Sequence, residues 1–408
     1  MRRMSRIYCR MLLLMLAIGM LLCSCTTSEE PDFNTEPHTD TTTTPMGVTT
    51  EPEEEIFVPV DNISYVELGI PSASRYNNSG DVARSLWDMI VWDGNLYVGS
   101  GDYGTNAGPA GIWYYDISKQ IWRGGDILLE EEVNRFCVVE DRLIAPGIDP
   151  MEGWDAGNYY ALGYQRWDTY RNIPGGVHNF DMIAYDGMIF CGLGVISGNY
   201  PIACSTDQGR TFASVTMYKN GIPLDTSNSD LIRVYDFFLC NNTLYAILSI
   251  NLGDDLAFDV YRYENGVFVY DNEWAGKVKK VDLSNVIITG KASFRKYTFF
   301  TTGYLYATTD MRNLVPILFP NNEVVVDIYV YEDSLYALCT RMNDNGEYVV
   351  SVWKNKASEA KEFVELFNFT YDAIPISLAI DESGAYIGIG NRQIPFEKNG
   401  MVLWVEYS

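Results

Sequence analysis

The chain is short of imidazole and of positive charge. With two histidines in 408 residues, a zinc site built from three histidines is excluded, and a Ser-His-Asp triad would have to use His178, the one histidine outside the N-terminal tail. Lys and Arg number 29 against 54 Asp and Glu, a formal charge of -25, so nucleic acid is not an expected partner for this surface. No amphipathic stretch of helical period reaches about 12 residues, and no linker-like stretch follows residue 80, which argues for one folded domain without helical layers. Five cysteines fall in the body of the chain: Cys137, Cys191, Cys204, Cys240 and Cys339. The number is odd and most stand in apolar strand positions, so buried free thiols are expected; Cys191 and Cys204 form the one candidate cross-strand pair. What the chain has instead is apolar and aromatic bulk: 47% hydrophobic residues, with 9 Trp, 29 Tyr and 18 Phe, enough for a sizeable core.

The N-terminus reads as an export signal. Arg2, Arg3, Arg6 and Arg10 precede an apolar run from Met11 to Leu22, too short for a comfortable membrane span. The following Leu22-Cys23-Ser24-Cys25 resembles the lipobox of bacterial lipoproteins, and that resemblance implies lipidation of Cys25, which becomes the first residue of the mature chain. Leu22 places a bulky side chain just before Cys23 and favours Cys25 over it. Residues 26–58 hold nine carboxylates, a Thr run at 41–44, several Pro and no Lys or Arg, a composition that cannot build a core and reads as a tether. Loss of the four signal arginines takes the formal charge from -25 to -29, so the anchor to an anionic membrane must be lipid. The expected organisation is residues 1–25 signal, 26–58 acidic tether and 59–408 folded domain, extracytoplasmic, lipid-anchored to the bacterial cell membrane and monomeric.

From about residue 60 onward apolar and polar residues alternate in short runs broken by Gly, Asn and Asp, which predicts an all-β domain. The segment Asp88 to Tyr97 matches Asp181 to Phe190 almost position for position, and the frame recurs at Asp236 to Tyr245 and Asp327 to Tyr336, with poorer copies around Leu143, Leu305 and Ala385. Each copy is a hairpin with an Asp-Gly or Asn-Asn type turn suited to positive φ, and a second hairpin follows most of them. Two hairpins per repeat make a four-stranded β-propeller blade; seven blades fit the anchors, with six as the rival. The last repeat ends after one outer strand, and the alternating segment Ile63 to Leu68 is expected to complete it and close the ring.

Ser205-Thr206-Asp207-Gln208-Gly209-Arg210-Thr211-Phe212 resembles the Asp-box of sialidase-like (BNR-type) propellers. The resemblance implies a turn between the third and fourth strands of a blade, with Ser and Asp bracing the loop, Gly supplying backbone freedom and the aromatic buried. It also implies that the starts of the inner strands share a face with the loops joining second and third strands. Sialidases hold their substrate with three arginines, for which Arg84, Arg135 and Arg233 are the available residues, but the Arg-Ile-Pro opening of that family is missing and only one good Asp-box is found.

Candidate site residues follow from this frame. Asp88, Asp181, Asp236 and Asp327 stand eight residues before their anchors and are expected to ring the mouth of the central channel; Arg135, Tyr297 and Ser377 hold the position in other repeats. Four converging carboxylates need compensation, either by a bound calcium or other cation at the channel mouth or by hydrogen-bond donors of the neighbouring blade. Three glycine-opened loops share the face: the first carries Asp102 and Asn106, the second Asp149, Trp154, Asp155 and Asn158, and the third spans 192–200. His178 and Asn179 stand at the same rim, Trp87 and Trp154 offer flat apolar faces, and Arg84 and Arg135 are candidate partners for a ligand carboxylate. The expected function is recognition of carbohydrate or cell-wall fragments without an obligatory cofactor. The alternatives are a glycan-active hydrolase using carboxylates such as Asp88, Asp149, Asp155 or Asp181, and a protein-interaction scaffold.

Overall fold

The computed structural model describes residues 59–76, 82–164, 166–195, 198–227, 232–251, 256–271, 288–391 and 397–407; the export segment, Cys25 and the tether up to residue 58 lie outside the described residues. The described chain is built from strands that pair antiparallel except where Met217–Lys219 lies parallel to Val267–Tyr270, with short 3-10 turns such as Pro71–Ser74, Val82–Arg84 and Pro320–Asn322. The inner hairpin turns carry the positive φ that their residues favour: Asp93 and Gly94, Asp186 and Gly187, and Asn241 and Asn242 all lie in the left-handed region.

Five four-stranded sheets stand separately. The Asp88 blade is Asp88–Trp92, Asn95–Gly99, Gly111–Asp116 and Ile121–Ile127, and the Cys137 blade is Cys137–Val139, Arg142–Pro146, Ala156–Leu162 and Trp167–Pro174. The Gly290 blade runs Gly290–Phe294, Tyr297–Thr301, Leu305–Thr308 and Val315–Ile317; the Val324 blade runs Val324–Tyr331, Ser334–Met342, Tyr348–Asn355 and Phe363–Tyr371. The fifth, the Pro375 blade, takes Pro375–Asp381, Gly384–Ile389 and Val402–Val405 and is completed by Val66–Gly69, with Val66 opposite Trp404 and Glu67 opposite Leu403. The N-terminal strand thus closes the ring as the outermost strand of the last blade, and the open edge is covered.

The expectation of seven blades, or six, is corrected: five blades are separate four-stranded sheets, and the remaining strands are sewn into one twelve-stranded sheet. That sheet holds a Gly176 run (Gly176–Tyr185, Met188–Val195, Ile202–Ser205, Ala213–Ser214) and an Ile232 run (Ile232–Cys240, Thr243–Asn251, Leu256–Glu264, Val267–Tyr270). The two runs meet where Gly194 pairs with Arg233. On the other side His178 pairs with Ile148 of Ile148–Pro150, which in turn pairs with Glu130–Glu132. The physical cause lies in the long loops, whose backbone groups are paired with the neighbouring run and not left to water.

A second correction concerns the Gly290 blade. Asp88 pairs with Gly99 and Asp181 with Gly192, and the residue in the same register here is Gly290, opposite Thr301. Tyr297, eight before Leu305, opens the second strand and not the first. A Cβ on Gly290 would sit 2.6 Å from an Asp327 carboxylate oxygen, so the position next to that aspartate admits no side chain.

The Ser205 loop joins the third and fourth strands of the Gly176 run and is braced as its residues imply. Ser205 Oγ donates to Asp207 at 2.8 Å and accepts from the Gly209 N–H at 2.8 Å, while Asp207 accepts from the Thr211 N–H and hydroxyl at 2.8 and 2.7 Å. Gly209 has φ +82°, and Phe212 is buried. A second loop of this kind, without the sequence signature, occupies the same place in the Gly290 blade. There Asp310 accepts from the N–H groups of Arg312 and Asn313, each at 2.8 Å, and Met311 is buried. The core lies between successive sheets, where Phe190, Phe237, Tyr261 and Phe268 pack as one cluster. The five cysteines are free thiols, all buried except the partly exposed Cys204.

Candidate functional site

Inner strands start at the channel, and of the four repeat-position aspartates Asp181, Asp236 and Asp327 are buried there while Asp88 is partly buried. Each of three reaches across to the backbone of the inner strand that follows in the ring. Asp88 Oδ2 accepts the Phe136 N–H at 2.6 Å, Asp181 Oδ2 the Phe237 N–H at 2.7 Å and Asp327 Oδ2 the Leu378 N–H at 2.8 Å. Asp88 and Asp327 also take the next N–H of their own strands, from Met89 and Ile328, each at 2.8 Å. Where the last blade meets the first, Ser377 replaces the aspartate and its hydroxyl donates to the Leu86 carbonyl at 2.7 Å. The carboxylates therefore staple neighbouring sheets through backbone donors.

Two cations complete the ring. Arg135 is hydrogen-bonded to Asp236 and lies 3.6 Å from Asp181; Lys291 is bonded to Asp181, lies 3.6 Å from Asp236 and donates to the Phe237 carbonyl at 2.9 Å. Burial alone would raise Asp181, but Lys291 and then Arg135 outweigh it and hold its carboxyl below the ordinary range. Burial wins at the others: it pushes Asp236 up despite Arg135 and Lys291, Asp88 up to about 6, and Asp327 well up with help from the Asp88 charge. Beneath the ring the channel holds a cavity of about 330 Å³ lined by Asp88, Arg135, Lys291, Ser293, Asp327 and Tyr329. Above it, Tyr103, Phe180 and Tyr235 cover a pocket of about 40 Å³ that Arg135 and Asp236 also line, so ions and aromatic rings plug the mouth. Among the described residues no three His, Cys, Asp or Glu side chains gather to hold a metal ion.

The first two long loops meet beside this plug. Gly101 bridges to Glu132, the Asp102 N–H donates to the Glu131 carbonyl at 3.0 Å, and the Met151 N–H to the Leu129 carbonyl at 3.0 Å. Asp102 caps its own turn, accepting from Gly104 N–H at 3.0 Å and Thr105 hydroxyl at 2.7 Å, and Asn106 is exposed at φ +55°. Asp149 faces His178 at 3.9 Å, and burial raises its carboxyl against Arg233. His178 is packed between Tyr103 and Phe180, and burial, then the Arg233 charge, lowers it to about 3, so the ring is neutral at physiological pH. Asn158 and Asn179 are buried: Asn179 donates to the Asn158 carbonyl at 3.3 Å, and Asn158 Nδ2 to Glu130. The third loop follows the strand whose Gly194 pairs with Arg233 of the Ile232 run, and its Gly198 N–H donates to the Thr226 carbonyl at 3.0 Å.

Three further side chains have clear roles. Arg84 is buried with its guanidinium on the carbonyls of Tyr76 and Ala73, and the Trp87 indole N–H donates to the Gly101 carbonyl at 2.7 Å, so both hold the first loop and its neighbours in place. Trp154 is different: it is 62% exposed at the tip of the second loop. The loop around it is anchored, because Arg171 donates to the Gly153 carbonyl at 3.0 Å and pairs with Asp155 at 2.5 Å.

Sequence reasoning missed Lys291, Glu130 and Glu131. Glu130 is fully buried, accepts from the Tyr160 hydroxyl at 2.9 Å, and burial pushes it up to about 7; Glu131 is pushed up to about 7 by burial, with Asp149 and Asp102 adding to it. Three consecutive glutamates have the pattern of a solvated charge run, and the signal that could have marked them otherwise is the flanking apolar pair Leu128 and Leu129.

No protein-family model matches the chain, and no curated protein matches it. Similar solved structures include the β-propeller domain of the Trilobed protease from Pyrococcus furiosus, described as having an open velcro topology, at 7% identity over 78% of this chain and 95% of that one, with a TM-score of 0.46. Saccharomyces cerevisiae Sqt1 shows 11% identity over 86% of this chain and 99% of that one, with a TM-score of 0.44. A chain of the Mitotic Checkpoint Complex shows 9% identity over 95% and 100%, with a TM-score of 0.47. Likenesses this distant carry no argument about function, and the propeller assignment rests on strand order and the closed ring.

Proposed function

We propose that this propeller is a recognition module that binds carbohydrate or cell-wall fragments on the face of its long loops, held at the cell surface by a lipidated Cys25 and the acidic tether. The observation that carries the reading is Trp154: a large apolar ring standing in solvent on a loop anchored through the neighbouring Asp155 suits stacking against a sugar face at low ordering cost. The ring aspartates support binding over hydrolysis, because backbone N–H groups, Arg135 and Lys291 already engage their oxygens. The direct test is a screen of the full chain against glycans and peptidoglycan fragments, with and without EDTA. A hit weakened tenfold or more by Trp154→Ala supports the reading, and binding of no fragment, or binding indifferent to Trp154, refutes it. The tether is tested separately by palmitate labelling, which Cys25→Ser should abolish.

One observation favours hydrolysis as a second reading. Glu131, raised to about 7, lies within electrostatic range of Asp149 and Asp102, the kind of environment that tunes a general acid. Product release from any bound glycan that Glu131→Gln removes without loss of binding would establish it.

A further inference from the structure

An open groove of about 440 Å³ lies between the Ile232 run and the Gly290 blade, at the end of the ring opposite the long loops. Its position follows from its walls, which are strand ends and turns at the hairpin end of the sheets. Asn241 and Thr243 flank the inner turn of the Ile232 run, Arg262 and Glu264 precede the outer turn, and Arg312 belongs to the braced loop of the next blade. The volume is that of a small-molecule site, and the lining is polar on both sides.

The charges in the groove are unequal in what they are already doing. Asp310 accepts the N–H groups of Arg312 and Asn313 and the Asn313 amide, each at 2.8 Å, so its oxygens hold the loop together. Glu264 is bonded to Arg262 at 3.0 Å, and Asp271 lies 3.8 Å from the other terminal nitrogen. Arg262 remains 35% exposed, and both guanidinium groups act on the buried Tyr245 hydroxyl between the two sheets, favouring its charged form against burial. Two guanidinium groups thus face one groove in a chain with nearly twice as many acidic as basic side chains.

We propose that this groove binds the carboxylate or phosphate group of a small polar ligand between Arg262 and Arg312, with Asn241 and Thr243 hydrogen-bonding the rest of the molecule. Glu264 is the internal competitor: it shows that the Arg262 fork accepts a carboxylate from the groove side, and a ligand anion shares or displaces it. The site is distinct from the loop face and does not depend on what binds there.

Calorimetric titration of the full chain with D-glucuronate, glucose 6-phosphate and glucose tests the proposal. At least one anion should bind, ten times or more tighter than glucose; preference for glucuronate assigns a carboxylate ligand, and preference for glucose 6-phosphate a phosphate. Arg262→Ala and Arg312→Ala should each weaken anion binding tenfold or more. Glu264→Gln, an exposed change that leaves the fold alone, should tighten it several-fold. Anions binding no better than glucose, binding that survives the double arginine variant, or unchanged or weaker binding in Glu264→Gln would each overturn the assignment.

Discussion

Asp181 and Asp88 occupy the same place in their repeats and make the same bond, yet they live in opposite electrostatic states. Each hands one oxygen to a backbone N–H at the inner strand that follows in the ring, Phe237 for Asp181 and Phe136 for Asp88. Around Asp181, Lys291 and Arg135 hold the carboxyl ionised, whereas Asp88 has only backbone donors close by, with Arg135 further off, and burial raises it to about 6. The repeat position thus sets a structural job, stapling blade to blade, and the charge state is set by the residues of blades that carry no aspartate. A ring of four like groups becomes an ion cluster on one side and, on the other, two carboxyls each bonded to backbone N–H groups.

The largest disruption of this contrast should come from Arg135→Met. It leaves Asp181 and Asp236 buried with Lys291 alone, and breaking a buried pair from one side costs about 3–5 kcal/mol, read as a drop in urea midpoint at constant slope. Asp181→Asn should rank next, because it removes the carboxylate bonded to Lys291 and leaves Lys291 and Arg135 to share Asp236. Asp88→Asn should cost less, about 1–3 kcal/mol, since it breaks one hydrogen bond and no ion pair. Equal losses in Asp88→Asn and Asp181→Asn would erase the distinction.

The two sides also differ in the sign of their pH response. Asp88 and Glu130 have folded pKa values of about 6 and 7, raised by burial above the unfolded values, so the unfolded chain releases its protons first and stability declines as pH rises from about 4 to 7. Asp181, lowered, acts the other way: its contribution is present above the unfolded value near 4 and fades as pH falls below it. Denaturant titration from pH 4 to 8 should show the decline, and Asp88→Asn should flatten it at its lower end, an effect of about 1–3 kcal/mol at most. The smallest expected change is at the braced loop: Asp207, partly exposed and held near 2 by Thr211 and Ser205, should alter local exchange of the Thr211 amide and leave the ring untouched when replaced by Ala.

Much of the fold was legible because turn chemistry and two-residue alternation are local properties. The Asp-Gly and Asn-Asn hairpins, the closing strand and the Ser205 loop all follow from short stretches read alone. The Gly290 blade was misregistered because its inner turn is Arg295-Lys296, without the Asp, Asn or Gly that marks the others, although Arg295 adopts the same positive φ of 54°. That error displaced attention to Tyr297 and hid Lys291, the partner of Asp181. The number of separate blades was not legible, since the pairing of Gly194 with Arg233 and of His178 with Ile148 joins runs through backbone contacts distant in sequence. The site was legible in part: the aspartate ring and the exposed Trp154 follow from spacing and loop composition. The burial of Glu130 arises only when the first two loops fold over it.

Amide hydrogen exchange at Phe136, Phe237 and Leu378 tests most directly whether the ring aspartates are inter-blade staples. The account predicts that all three amides are protected as strongly as central strand amides, and that Asp181→Asn releases Phe237 while Phe136 and Leu378 stay protected. Fast exchange at these amides in the unaltered protein, or a Phe237 amide indifferent to Asp181→Asn, would contradict it.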